Sequence, residues 1–236
     1  MTSRLPITTM FLDAGGVLVH PSWTRVSEAL ARHGVAVSPA ALSAAEPHAM
    51  RELDEASVVG TTDDRSRGWL YFNLVLRHAS VVLCEATDAA LQDLRAYHDR
   101  ENLWEHVEPD VVPMLSALHD RHVRLVVVSN ANGRLKHLFD RLDLSRWFDH
   151  LLDSHEWGVE KPDPRLFQIA LEQSGADART TAHVGDLYHV DVIGARRAGL
   201  SDAVLFDVAG LYDHAECVRV RTLDGVISWL DQRSAG

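Results

Sequence analysis

The chain predicts an α/β fold, in which a parallel sheet carries helices on both faces and a separate all-helical domain is set into it. Three observations carry this prediction. From about residue 109 onward, short β-branched runs alternate with stretches of helical periodicity, as in successive strand–helix–strand units. One apolar strand stands alone near the N-terminus. Between the two lies a long stretch with helical spacing and no convincing strand.

Taken in order, Ile7–Leu12 reads as a buried strand ending at Asp13. Gly15-Gly16 then form a turn in which backbone can pass close to a ligand. Trp23, Val26, Ala29 and Leu30 fall at helical spacing, and Ser38-Pro39 opens a second helix as an N-cap followed by proline. Trp69–Val82 and Asp88–Tyr97 supply two more helices. After Pro109 the chain gives a helix to Leu118, a strand Val123–Val128 ending at Ser129-Asn130, and a helix over Arg134–Leu142. A short strand follows at His150–Leu152, then a helix Pro164–Gln173 closed by Gly175. The strand Thr181–Val184 ends at Gly185-Asp186, and Asp191–Ala198 reads as a helix closed by Gly199. Strands at Ala203–Phe206 and Cys217–Val220 and a helix near Leu223–Leu230 complete the chain. These elements place a Rossmann-like core domain at residues 1–20 and 104–236 and a helical domain at 21–103.

Composition narrows the function. A net charge of −11, with no basic cluster longer than Arg196-Arg197, argues against a nucleic-acid partner, because a phosphate backbone needs a basic face. The apolar stretches are far too short to span a bilayer, and the N-terminus lacks a signal-peptide pattern, so we expect a cytoplasmic protein with no membrane partner. Cys84 and Cys217 lie in apolar-looking contexts that suit reduced, buried thiols. Oligomeric state is left open.

Ligands of a parallel α/β sheet bind beyond the carboxyl ends of its strands. Asp13, Ser129 and Asp186 all occupy such ends, so three distant segments converge. Asp13 can act as a nucleophile that forms an acyl-phosphate. Asp186 and Asp191 can hold Mg2+, which takes a few carboxylates and keeps several waters; Asp191 equally suits a helix cap. Of the 23 basic residues only Lys136 and Lys161 are lysines, and Lys161, before Pro162-Asp163-Pro164, can bind phosphate as a point charge. Ser129-Asn130 offers a hydroxyl and backbone amides to a phosphate oxygen, and also suits an ordinary turn.

Four ordered segments carry a family resemblance: Asp13-x-x-Gly16-Val17-Leu18, Val128-Ser129-Asn130, Glu160-Lys161-Pro162-Asp163-Pro164-x-x-Phe167, and Val184-Gly185-Asp186 through Asp191 to Gly199. Together they resemble the haloacid dehalogenase superfamily, in the subfamily whose helical cap domain follows the first motif. The resemblance implies an Mg2+-dependent phosphatase of a small phosphorylated metabolite. It makes Asp13 the nucleophile and a metal ligand, with the Gly15 carbonyl and Asp186 as further ligands. Asp191 would support Lys161 or metal-bound water. Ser129, Asn130 and Lys161 would hold the transferring phosphoryl group, helped by amides near Ala14 and Asn130, and the cap would set substrate choice.

The first motif departs from the family pattern. The second aspartate, which protonates the leaving oxygen and then activates water, is replaced by Gly15. His20, just beyond the turn, and His189, beside the fourth motif, are candidate substitutes among the 14 histidines. A substrate whose leaving group needs no proton, or a phosphate-binding protein with little turnover, would also fit. Superfamily dehalogenases typically replace the acidic Gly-Asp, which is intact here. Phosphonatases use a cap lysine, and no lysine lies between Pro21 and Glu108. In the helical domain Trp23, Trp69, Tyr71 and Phe72 are candidates for substrate contact, although aromatics at helical spacing better suit its core. Arg51, Arg65 and Arg67 are candidates to meet an anionic substrate group, although exposed arginines are usually just solvated.

Overall fold

The computed structural model describes residues 5–55, 59, 64–213 and 215–235, with the side chains of residues 64–69 and 235 outside that description. The chain divides into two compact units, residues 1–19 with 107–236, and residues 20–106.

The chain opens with β1 (Thr9–Leu12). The second unit follows, built from α1 (Trp23–Arg32), α2 (Pro39–Leu53), α3 (Asp64–His78) and α4 (Glu85–Glu101). Its helices start where the sequence supplies caps. Ser22 accepts from the Arg25 amide, and Ser38, ahead of Pro39, accepts from the Ala41 amide. The apolar faces of α1 and α2 meet those of α3 and α4 in one buried cluster that includes Trp23, Leu30, Leu42, Tyr71, Phe72 and Leu94. The entering and leaving chains are tied together, since His20 and His106 exchange backbone hydrogen bonds and the Ser22 amide donates to Leu103.

In the first unit α5 (Val111–Asp120), β2 (Arg124–Ser129), α6 (Leu135–Arg141), β3 (His150–Asp153) and α7 (Pro164–Ser174) come next. They are followed by β4 (Thr181–Gly185), a π-helical turn at Tyr188–Val192, α8 (Ile193–Arg197), β5 (Asp202–Phe206), β6 (Val218–Val220) and α9 (Leu223–Ala235). The strands form one sheet in the order β3-β2-β1-β4-β5-β6, parallel at every pairing. β1, β2 and β4 are buried almost along their whole length, as strands covered on both faces must be. On one face, Phe11, Val126 and Val128 pack against Leu166, Phe167 and Ala170 of α7 and Ala195 of α8.

Two expectations need correction. Cys84 is exposed and Cys217 only half-buried. Cys84 sits at the N-cap of α4, where a side chain faces outward rather than into the helix packing. The helix expected at Asp191–Ala198 begins earlier and as a π turn, so Asp191 lies inside a widened turn rather than at a cap. Such insertions often mark functional positions.

α8 lies close on α7 because residue 194 has no side chain. A Cβ on Gly194 would come within 2.8 Å of Phe167 Cε2 and 3.2 Å of Pro162 Cα. Gly194→Ala gains about 1 kcal/mol in helix propensity, whereas overpacking a filled core costs about 1–3 kcal/mol. We expect a net loss of up to about 2 kcal/mol, read from urea unfolding with an unchanged denaturant slope.

Candidate functional site

β1 and β4 are neighbours at the centre of the sheet, and the chain runs outward from them in opposite directions, to β2-β3 and to β5-β6. This is the switch point at which a crevice opens beyond the strand ends. Asp13 follows β1, Asp186 follows β4, and Ser129 ends β2.

Lys161 reaches this place from the segment before α7. Its ammonium is buried between two carboxylates, Asp191 Oδ1 at 2.6 Å and Asp13 Oδ1 at 2.9 Å. Its backbone is fixed by Asn130, whose Oδ1 accepts from the Lys161 amide at 2.7 Å and whose Nδ2 donates to the Lys161 carbonyl at 3.0 Å. The Asn130 side chain is thus a clamp on the lysine segment, a role that nothing in its local sequence announces. The Ser129 hydroxyl is buried beside it, 3.4 Å from the Asn130 carbonyl.

Asp191 is held by three donors. Lys161 and the Nε2 of His183, at 3.0 Å, meet Oδ1, and the Leu187 amide meets Oδ2 at 3.0 Å. Asp13 Oδ1 also accepts from the Ala14 amide at 2.7 Å. Carboxylate oxygens of Asp13, Asp186 and Asp191 lie within 4.8 Å of one another.

Two glycines create the room for these acids. Gly16, at φ +75°, would place a Cβ 2.0 Å from Asp186 Oδ2. A Cβ on Gly185 would lie 2.2 Å from the Asp191 carboxyl carbon. Gly15 pairs with Val19 across the turn after β1 and brings no side chain to the site.

The charge balance is uneven, with three carboxylates around one ammonium. Burial alone would lower the Lys161 pKa, but Asp13 and Asp191 more than reverse this and hold the amine above its ordinary range. Burial would raise Asp191, yet Lys161 and the His183 hydrogen bond outweigh it and hold that carboxyl below the usual range. The excess negative charge falls on the other two. Burial raises Asp13, with Asp191 adding to it against the opposing pull of Lys161. Burial and the charges of Asp191 and Asp13 push Asp186 well above an ordinary carboxylate.

His20 belongs to the helical unit, where its Nδ1 lies 4.0 Å from Glu46 Oε1. His189 lies in the π-helical turn with its ring at right angles to Tyr188. Trp23, Tyr71 and Phe72 are core residues of the helical unit, and Arg51 forms an ion pair with Glu55 at 2.7 Å. The side chains of Arg65, Arg67 and Trp69 lie outside the described residues. His183 went unnoticed in the sequence, although a histidine inside an apolar strand, two residues before Gly185, was a visible signal.

A model of the haloacid dehalogenase-like hydrolase family matches residues 7–199. The human haloacid dehalogenase-like hydrolase domain-containing protein 3 is 30% identical over 208 residues, 85% of this chain and 82% of that protein. A glyceraldehyde 3-phosphate phosphatase from Methanopyrus kandleri is 34% identical over 106 residues, 44% of this chain and 46% of that enzyme. Among solved structures, the putative hydrolase YfnB from Bacillus subtilis, bound to magnesium, superposes with a TM-score of 0.69 at 16% identity, covering 96% of this chain and all of that one. That likeness establishes the shared fold.

Removing the lysine strands two buried carboxylates, and breaking a buried pair from one side costs about 3–5 kcal/mol. We expect Lys161→Met to lose about that much in urea unfolding at neutral pH, with part regained in Lys161→Met/Asp191→Asn. A second expectation concerns pH. Asp13 and Asp186 have raised pKa values when folded, so the folded state binds more protons than the unfolded state above the ordinary carboxylate range. Without added divalent cation, the stability these two groups contribute is fully present below the unfolded carboxylate pKa and is lost as pH rises through their folded pKa values. Asp191 has the opposite sign, but its loss lies at more acid pH. The contribution of Asp13 and Asp186 to the unfolding free energy should decline as pH rises above the ordinary carboxylate range, and Asp186→Asn should flatten that slope.

Proposed function

The chain belongs to the haloacid dehalogenase-like hydrolases, and from that premise we propose that it is a Mg2+-dependent phosphatase of a small phosphorylated metabolite, with Asp13 as nucleophile. The observation that carries this reading is the buried Lys161 ammonium shared by Asp13 and Asp191 at the switch point of the sheet. A purely structural ion pair has no need to lie at a strand end beside a third carboxylate. The partial likeness to a phosphatase supports the same reading.

The donor set suits the metal. The clustered groups are carboxylate oxygens, which favour a hard cation such as Mg2+ over a soft one, and the surplus of negative charge that adds to burial in raising Asp186 is what a divalent ion would relieve. Asp13, Asp186 and the Gly15 carbonyl would hold it, and Asp191, already committed to Lys161, would support that lysine or a metal-bound water. The ion would supply positive charge at the phosphoryl oxygens.

Asp13 attacks phosphorus through a carboxylate oxygen as the bond to the leaving oxygen breaks. Lys161, with Ser129 and the amides near Ala14 and Asn130, holds the transferring group and neutralises its equatorial charge. Water then attacks the phosphorus of the acyl-phosphate, releasing inorganic phosphate and restoring Asp13. In this reading residues 20–106 form the cap that selects the substrate.

Gly15 restricts the chemistry, since nothing at that position can protonate a departing alkoxide. A missing general acid costs about 10²–10⁴-fold, and acyl or aryl phosphates suffer least. The same glycine favours the second reading, a protein that binds a phosphorylated ligand and turns it over weakly.

The test is phosphate release from alkyl, aryl and acyl phosphates. We expect Mg2+-dependent release that Asp13→Asn abolishes, and a gain of about 10²–10⁴-fold on alkyl phosphates in Gly15→Asp. Release insensitive to Asp13→Asn would refute the phosphatase reading. Silence in the wild type with activity in Gly15→Asp would select the binding protein. Separately, Mg2+ should raise the melting temperature more at pH 8 than near pH 5, because its ligands must first lose their protons, and Asp186→Asn should remove most of that increase.

A further inference from the structure

We infer that His183 is a positioning residue of this site, whose Nε2–H holds Asp191 so that Asp191 in turn holds Lys161. Its catalytic consequence rests on the phosphatase reading; its geometry does not.

His183 lies at the middle of β4, fully buried, with Phe11 and Ala203 as its partners on the adjoining strands. Side chains two residues apart on a strand share a face. His183 and Gly185 therefore point to the same side, and Gly185, having no side chain, leaves the slot that the Asp191 carboxyl fills. The imidazole stands at the wall of that slot with Nε2 at 3.0 Å from Asp191 Oδ1. An ionised carboxylate only accepts, so the shared hydrogen is on Nε2. The opposite edge of the ring is poorly provided for. Nδ1 is buried without a hydrogen-bond partner among the described residues, and the ring packs edge-to-face on Phe167 at 4.9 Å.

A stranded buried nitrogen is a cost to the fold, and such groups are rare enough to need a reason. An aliphatic residue would fill this apolar strand position without that cost. What it could not supply is the donor to Oδ1. With His183 and the Leu187 amide on its two oxygens, Asp191 has one orientation, and Oδ1 is aimed at Lys161 at 2.6 Å. Without the imidazole, Oδ1 would have no donor except Lys161 itself, the group it is meant to orient, and only the Leu187 amide on Oδ2 would remain as an independent anchor.

Three proteins separate this from a packing role: wild type, His183→Leu, which fills the space without a donor, and His183→Gln, whose amide nitrogen can replace Nε2. Two readouts are taken besides thermal melting. One is kcat and KM for phosphate release. The other is acylation of Lys161 by acetic anhydride, followed by peptide mass spectrometry with exposed Lys136 as internal reference, which needs no activity.

We expect His183→Leu to melt within about 4 °C of wild type, because losing the stranded Nδ1 offsets losing the hydrogen bond. Its kcat should fall about 10–100-fold, as for other residues that orient a ligand or catalytic group, with KM little changed. Lys161 should be acylated measurably faster relative to Lys136 than in the wild type, and His183→Gln should reverse both effects. Unchanged Lys161 labelling in His183→Leu would overturn the inference whatever the activity. Labelling and kcat that merely follow a large drop in melting temperature would also overturn it, since they would mark a packing residue. A wild type without Asp13-dependent phosphate release would refute the phosphatase reading, and the labelling ratio would still decide the role of His183.

Discussion

Lys161 carries a charge that the interior cannot accept without compensation, and most of the site follows from that constraint. An ammonium withdrawn from water costs several kcal/mol unless it is paired and hydrogen-bonded. Here the pairing comes from two distant segments, Asp13 at the end of β1 and Asp191 beyond β4, while a third, Asn130 beyond β2, grips the lysine backbone. The pair therefore holds together three loops that the sheet alone would only bring near one another. Because one ammonium faces three carboxylates, it also leaves a surplus of negative charge, which adds to burial in raising the pKa of Asp186 and Asp13. The arrangement is stable enough to persist and unbalanced enough to attract positive charge.

Missing side chains shape the site as much as those present. The Asp186 carboxyl occupies the space a Cβ on Gly16 would take, and Asp191 occupies that of Gly185. Gly194 lets α8 close on Phe167 and Pro162, which anchors the segment carrying Lys161. At Gly15 the absence is chemical rather than steric. On the proposed reading, the scaffold of an aspartyl-phosphate site is retained there and the group that would serve the leaving oxygen is not.

The helical unit satisfies its polar groups within itself. Glu46, half-buried near the aromatic cluster, accepts from Tyr71 Oη at 2.7 Å and from Trp23 Nε1 at 3.2 Å. Glu105 is held by Arg25 at 2.9 Å and by the Tyr97 hydroxyl at 2.7 Å, with the guanidinium lying over the Tyr97 ring. Buried polar groups that find partners locally cost little and fix one packing of the helices. The aromatic side chains that looked like candidates for substrate contact are in large part this core.

The sequence by itself determined the α/β class, the strands and their carboxyl ends, and the four acidic and basic residues of the site, because these depend on local periodicity and on motif order. Each expected strand is present, and Asp13, Lys161, Asp186 and Asp191 do converge. Local signals could not supply the partners. Asn130 reads as a turn residue until Lys161 folds against it, and His183 reads as an irregular strand residue until Asp191 fills the slot above Gly185. Cys84 reads as buried until α4 places it at an exposed cap, and the π turn that sets Asp191 has no pattern of its own. Only the tertiary structure decided these features, since a hydrogen bond between residues far apart in the chain depends on which surfaces the sheet brings together, and burial is a property of the folded neighbours rather than of the residue.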